Sequence, residues 1–324
     1  MSKKIYITRK IPDIAITMLT EKGYEVEVGT SSEPLSKKQI IKVLKKKPYD
    51  AVISLLTDPI DADVFAAVPT AKLFANYATG FDNINVSHAK QYGVTVTNAP
   101  TDTSTEAVAQ YSLALMLALM TRIVEADDFV RRGKYKGWSP TNFISSDITG
   151  KTLGLVGAGR IGLQLARLAS AVGFSIIYTD VKRNEDLETK TGAQFYASIE
   201  SMLPASDVVS LHVPLMESTR HLIDGRKLKL MKPTAFLVNT SRGPVIDEKA
   251  LELALKKKEI SGAALDVFEF EPKISATMRK LPNVIITPHI ASASENVRNS
   301  MAKIAAHNVI SFLEGRTPPN VITV

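Results

Sequence analysis

The chain has 324 residues, is 45% hydrophobic and 23% charged, carries a net charge of +7 and contains no cysteine. Such a length and apolar share allow a large buried core and suggest two domains, while the missing cysteine excludes a disulfide framework, thiolate catalysis and Cys-ligated metal sites. The lysine runs Lys45-Lys46-Lys47 and Lys256-Lys257-Lys258 lie on helix-like stretches without interleaved aromatics, so solvated helix faces are expected and no nucleic-acid partner.

The N-terminus passes from Lys3-Lys4 into Ile5 and on to Pro12 without the apolar core of a signal peptide, so a cytoplasmic protein is expected. Short β-branched runs at 5–8, 51–54, 72–75 and 94–97 alternate with amphipathic segments, the pattern of a parallel sheet flanked by helices. A long apolar helix is predicted from Glu106 to about Phe129. Its most membrane-like stretch, Tyr111 to Met120, is shorter than the roughly 18 apolar residues a span requires, so it is read as buried and no membrane partner is expected. Strands follow at 152–156, 175–179, 207–213, 235–240, 262–267 and 284–287, six runs, the number in a doubly wound dinucleotide-binding fold. A helical tail from Ala291 to Gly315 has no strands of its own. The chain is therefore expected to leave the first domain, build the second and return, with boundaries at 1–99 plus 291–324 and 100–290, and no further regulatory domain.

The segment Gly157-Ala158-Gly159-Arg160-Ile161-Gly162 fits G-x-G-x-x-G and stands where that motif has meaning, directly after a predicted strand and opening a helix. Gly157 permits the tight turn, Gly159 lets backbone approach a pyrophosphate, Gly162 allows close helix–strand packing, and the helix N-terminus offers N–H groups to the anion. Asp180 ends the next strand, at the spacing of an acid that bonds the adenosine ribose, which argues for NAD over NADP; its other reading is a cap for the helix that follows. Lys182 and Arg183 stand close enough to tolerate a 2′-phosphate.

Three later segments lie just after strands, where open parallel sheets bind ligands: residues 239–243, 266–272 and 287–290. A 2-oxo acid needs a cation for its carboxylate and an acid–base group titrating near neutrality. Arg242, with its planar fork, and His289, which leads from a strand into a loop, meet those needs. Glu271 and Glu269 both offer the histidine a carboxylate. His88 and His307 sit on helix-like segments, His212 within a strand and His221 ahead of a helix, and no histidine pair has zinc-ligand spacing, so no metal is expected.

With these residues in view, the chain resembles the D-2-hydroxyacid dehydrogenase family, nearest its glyoxylate and hydroxypyruvate reductase branch. The match runs over nearly the whole chain in five ordered blocks, residues 76–84, 157–162, 238–243, 265–272 and 287–292. The resemblance implies an α/β architecture of two Rossmann-like domains, a doubly wound parallel-sheet NAD-binding domain inserted in a flavodoxin-like substrate domain. It implies that Arg242 binds the substrate carboxylate, that His289 donates the proton, and that Glu271 rather than Glu269 holds the imidazole. It further implies substrate contacts from the backbone of Thr79 and Gly80, and a cofactor groove lined by Thr105, Val213, Ser241 and Asp266. Leu55 and Leu56 would shape the side-chain pocket. Thr79 stands where relatives commonly have valine, and Ala291 where many have glycine. The expected activity is NAD(P)H-dependent reduction of a small 2-oxo acid, glyoxylate or hydroxypyruvate first, to the D-2-hydroxy acid, with NAD the expected cofactor and NADP tolerated. Glu271 counts against formate oxidation, where the histidine's partner is glutamine. A binding protein of the same fold, an NAD(H)-sensing corepressor, is the alternative. A homodimer is expected, with the apolar helix near Leu113 to Leu119 suited to its interface as well as to a core.

Overall fold

A computed structural model describes residues 2–323. The chain forms two compact units, Met1–Ser104 with Ala293–Val324, and Thr105–Ser292. The breaks come a few residues after the loop positions expected from the sequence, because both crossings are made at helix ends. One lies in the first turn of the helix Asp102–Met120 and the other just ahead of Ser294, which caps the helix Glu295–Leu313.

The first unit is built on five parallel strands, β1 (Lys4–Ile7), β2 (Glu25–Val28), β3 (Ala51–Leu55), β4 (Leu73–Tyr77) and β5 (Thr95–Thr97), in the order β2-β1-β3-β4-β5. That is the flavodoxin-like order, whose switch point lies between β1 and β3. The central strands are buried on both sides, as their β-branched runs require; Ile5, Ile7, Ile53 and Phe74 are fully enclosed. Phe65 meets Phe74 edge-on, with ring centroids 5.1 Å apart. β2 shows no apolar run in the sequence, because it alternates Glu25-Val26-Glu27-Val28 on the sheet edge and keeps no residue fully buried. The C-terminal helix returns to this unit: Tyr77 donates to the Arg298 carbonyl at 2.9 Å and Asn308 to the Asn98 carbonyl at 3.0 Å.

The second unit holds seven parallel strands, β6 (Thr152–Val156), β7 (Ser175–Thr179), β8 (Gln194–Phe195), β9 (Val208–Leu211), β10 (Phe236–Asn239), β11 (Gly262–Leu265) and β12 (Val284–Ile286), in the order β12-β11-β10-β9-β6-β7-β8. Counted from β6, the strands run 3-2-1-4-5-6 with one more at the far edge, the doubly wound order, and the switch point falls between β6 and β9. Neighbouring residues feed opposite faces, as the two-residue period of a strand demands: Leu237 and Ala263 enter one core, Val238 and Ala264 the other. The seventh strand, β8, is two residues long and escaped the sequence reading for that reason.

The long apolar helix is two helices, Asp102–Met120 and Ile123–Arg131, meeting at 63°. Arg122 breaks the run in the left-handed region at φ 58°, and its Nε is 2.6 Å from Glu125 Oε2. Leu115, Met116, Leu119 and Met120 are buried in the second unit's own core, as the reading of this stretch as a buried helix expects. No single helix among the described residues is long and apolar enough to cross a membrane.

Candidate active site

Both candidate clusters of the second unit grow from the carboxyl edge of its sheet. β6 ends at Val156 and the helix Arg160–Ala171 opens after Gly157, Ala158 and Gly159. Gly157 has φ +98°, and a Cβ there would lie 2.6 Å from the His212 carbonyl oxygen, so conformation and space both require glycine. Around Gly159 the opposite holds: nothing lies within 4 Å of where a Cβ would stand, and the helix has no side-chain cap. Gly162 seals the helix against the turn, since a Cβ would lie 2.3 Å from the Gly157 carbonyl oxygen. Arg160 is exposed and Ile161 half-buried at the mouth. An open, uncapped helix N-terminus beside backbone that no side chain obstructs suits the pyrophosphate of a dinucleotide.

Asp180 follows β7 and turns toward this loop, its Oδ2 accepting from the Ala158 N–H at 2.6 Å and its Oδ1 from the Val181 N–H at 2.6 Å. The cap of the next helix, Glu185–Thr191, is Asn184, which the sequence reading passed over. Asn184 also donates to the Ala158 carbonyl at 2.6 Å, so residues 180 and 184 hold both polar groups of one glycine-loop peptide position. Val213, partly buried, packs against the core beside the same turn; its Cγ1 would be 3.1 Å from a Cβ on Gly157.

Three neighbouring strands, β10, β11 and β12, deliver the second cluster. After β10 the fully buried Asn239 folds the turn: its Oδ1 accepts from the N–H and hydroxyl of Ser241, and its Nδ2 donates to the Arg242 carbonyl at 2.9 Å. Arg242 stands half-buried, one guanidinium N–H bonded to the Ser241 carbonyl at 2.8 Å. The next residue, Gly243, lies so close to the loop after β11 that a Cβ would be 1.9 Å from the Phe268 carbonyl group. Thr240 is tied to the long helix by a 2.8 Å hydroxyl contact with Ser112, on the helix that also carries the half-buried Thr105.

Asp266 is fully buried just past β11 and organises the third loop. Its carboxylate accepts from the Thr287 hydroxyl at 2.6 Å and from the N–H groups of Ile290 and Ala291 at 2.9 and 2.7 Å, while its carbonyl accepts from the His289 N–H. Those bonds hold His289 in the left-handed region, φ 56°, a conformation of non-glycine residues that tends to mark functional turns. The His289 Nδ1 is 3.1 Å from Glu271 Oε2, and Glu271 Oε1 accepts from the Phe268 N–H at 3.0 Å. Burial alone would raise the Glu271 carboxyl; the bond to His289, that ring's charge, the Phe268 N–H and the nearby Arg242 guanidinium together bring it below the ordinary range. Glu269 serves elsewhere: its Oε1 is 2.6 Å from His221 Nε2, and its Oε2 accepts from the Glu248 N–H. His212 also leads directly out of a strand, bonded to the Ser210 hydroxyl at 2.9 Å, so His289 does not stand alone in that respect. Desolvation pushes the His212 pKa down to about 4, which leaves it uncharged at neutral pH and unsuited to supplying a proton there.

In the first unit, Leu55 ends β3 and is half-buried, while Thr79 and Gly80 follow β4. Their loops are pinned by residues the sequence reading did not single out. Asn83 donates to the carbonyls of Leu55 and Asp58, Asn76 to the Gly80 carbonyl and Asn98 to the Thr79 carbonyl. Buried Asp58 accepts from the Leu55 N–H at 2.7 Å. Asn76 and Asn98 stand at strand ends, where a side chain able to donate and accept at once was the signal available for them.

Comparison with known proteins gives this geometry its context. Residues 113–291 match the family model for the D-isomer specific 2-hydroxyacid dehydrogenase NAD binding domain. The glyoxylate reductase of Korarchaeum cryptofilum is 47% identical over 324 residues, covering 99% of this chain and 96% of that protein. Among solved structures, the TT0316 protein of Thermus thermophilus superposes with a TM-score of 0.92 at 38% identity, covering 99% of this chain and 100% of the other. An NADPH-dependent glyoxylate/hydroxypyruvate reductase from Sinorhizobium meliloti, in complex with NADP and malonate, gives 0.86 at 29% identity over 100% and 97% of the two chains. With sheet order, glycine turn and full-length identity in agreement, the chain belongs to the D-isomer specific 2-hydroxyacid dehydrogenase family.

Proposed function

We propose that the protein reduces glyoxylate, and next hydroxypyruvate, to the D-2-hydroxy acid, with NADH as the preferred cofactor. The observation that carries the reading is the His289–Glu271 pair, 3.1 Å apart, which joins the loops after β12 and β11 beside the β10 loop bearing Arg242. The 47% identity to a glyoxylate reductase supports the substrate, and Asp180, a carboxylate at the glycine turn that would repel a 2′-phosphate, supports the cofactor.

In this reading Gly157, Gly159 and Gly162, with the leading N–H groups at Arg160 and Ile161, hold the pyrophosphate, and Asp180 bonds the adenosine ribose. Thr105, Val213, Ser241 and Asp266 border the nicotinamide half. When bound, the nicotinamide supplies the hydride that the substrate's C2 accepts. Arg242 binds the substrate carboxylate with its fork and polarises the oxo group. Because Glu271 is ionised and faces Nδ1, that nitrogen donates to it, which leaves Nε2 of His289 to give its proton to the developing alkoxide. Glu271 meanwhile stabilises the imidazolium that holds the proton beforehand. Leu55, Thr79 and Gly80 are the proposed substrate contacts of the first unit. The protein is further proposed to work as a homodimer.

The test is NADH oxidation against a panel of 2-oxo acids. Turnover on the order of 1–1000 s⁻¹ with glyoxylate or hydroxypyruvate is expected. Tight NADH binding with no turnover of any 2-oxo acid would overturn the proposal.

A further inference from the structure

The structure assigns cofactor discrimination to a second device besides Asp180: we infer that Glu188, anchored by Tyr178, holds the Arg183 guanidinium away from a 2′-phosphate and thereby disfavours NADPH. The inference rests on the proposed reading that the glycine turn and Asp180 receive the adenosine half of the cofactor.

An arginine shortly after the acid at the end of this strand is the usual means of accommodating the 2′-phosphate, since its planar fork matches phosphate oxygens in pairs. Arg183 stands at that place. Its neighbour Asn184 touches the glycine turn through the Ala158 carbonyl, and Asp180, three positions earlier, touches the N–H of the same residue. Yet the fork is occupied: Nε lies 2.7 Å from Glu188 Oε1 and the terminal N–H₂ 2.7 Å from Glu188 Oε2. An exposed ion pair of ordinary kind would yield to a competing phosphate, because such pairs gain little in water. This one is bidentate and anchored from below. The Tyr178 ring is fully buried in the second unit's core, and its hydroxyl donates to Glu188 Oε1 at 2.6 Å while accepting from the Asn184 N–H at 2.8 Å. Glu188 is accordingly only 18% exposed against 63% for Arg183. The Arg183 and Tyr178 bonds hold its carboxyl down to about 2, so the clamp stays charged across the physiological range. Glu188 is thus a positioning residue that acts through Arg183.

The experiment measures kcat/KM for NADH and NADPH in the wild-type protein and in Glu188→Gln, Arg183→Ala, the double variant and Asp180→Ala. Glutamine keeps a partner for Tyr178 but gives up the charged fork, so Glu188→Gln should raise kcat/KM for NADPH by about 10-fold, roughly the effect of one charge-assisted contact, with NADH little changed. Arg183→Ala alone should leave NADPH use near wild type, a result independent of whether Glu188→Gln is fully stable. The double variant should lose the gain. The inference is overturned if Glu188→Gln leaves the NADPH/NADH ratio unchanged, if the gain survives in the double variant, or if Arg183→Ala alone lowers NADPH use several-fold. Failure of the underlying reading has its own signature: Asp180→Ala with unaltered KM for both cofactors would put the adenosine site elsewhere, and the inference would fall with it. A raised NADH KM in Asp180→Ala beside an inert Glu188→Gln would sink the Glu188 inference alone.

Discussion

At the scale of single residues, charge decides what the proposed proton donor can do. Reduction needs a protonated imidazole, and the Glu271 carboxylate, 3.1 Å from His289 Nδ1, favours the charged ring. Replacing Glu271 by Gln keeps a hydrogen-bonding partner and removes the charge, so the high-pH limb of the reduction profile should shift toward acid, and oxidation should reach its plateau at lower pH. Because the Glu271 carboxyl is held below its ordinary range, the carboxylate is ionised above that range and loses its charge only as pH falls through the lowered value. An unshifted profile, with chemistry shown to limit the rate by a deuteride isotope effect, would remove Glu271 from the mechanism. Arg242→Lys keeps a charge and gives up the fork; kcat/KM for the 2-oxo acid should fall by about 100-fold while NADH titration stays near wild type. The opposite split would make Arg242 a cofactor residue. Arg242 and His289 were legible in the sequence because each lies just beyond a strand. The choice between Glu269 and Glu271 rested on the family resemblance alone, since an irregular loop has no period to assign two acids their partners. Distance distinguishes them: one meets His221, the other His289.

At the scale of elements, the candidate site depends on how closely the loops after β10 and β11 approach each other. Gly243 marks that approach. A methyl group there would lie 1.9 Å from the Phe268 carbonyl carbon and 2.5 Å from the Glu269 nitrogen, backbone atoms that cannot turn aside. Gly243→Ala should therefore cost about 1–3 kcal/mol or more in urea denaturation and should lower activity further by moving Arg242 relative to Glu271. Gly225→Ala is the control: it opens the helix Gly225–Leu228 and has only the Ala250 Cβ, at 3.6 Å, within reach, so a change within about 0.5 kcal/mol is expected. Equal losses at the two sites would mean that crowding at Gly243 is relieved elsewhere. Strands with continuous apolar runs were readable in the sequence to within a residue or two of their ends. The two that escaped are sheet edges, β2 with its alternating glutamates and β8 with only two residues, where burial leaves too little pattern to see. The break at Arg122 was hidden for a different reason: nothing in an arginine's composition signals a positive φ.

At the scale of the whole molecule, the departure and return of the chain could be read from a terminal helix that had no strands of its own, but the surface for self-association could not. Hydrophobicity suited the helix near Leu113 to Leu119 to a core or an interface alike, and Leu115 and Leu119 lie in the core. Exposure points to the segment that follows. Ile123, Val124, Val130, Tyr135, Trp138 and Ile144 are exposed within it, Trp138 at 84%, and the helix Ile123–Arg131 buries none of its residues. Large apolar side chains gathered in one segment and left to water suit a partner surface, and Trp and Tyr are among the residues enriched at interface hot spots. A stable homodimer needs roughly 800 Å² from each partner. Sedimentation at micromolar concentration should give about twice the 35.3 kDa of one chain. Val130→Glu combined with Trp138→Lys places charges in the stretch and should yield monomers with an unchanged circular dichroism spectrum, because neither side chain supports the core. A wild-type monomer, or a double variant that still sediments as a dimer, would show that copies of this chain do not meet through residues 123–144.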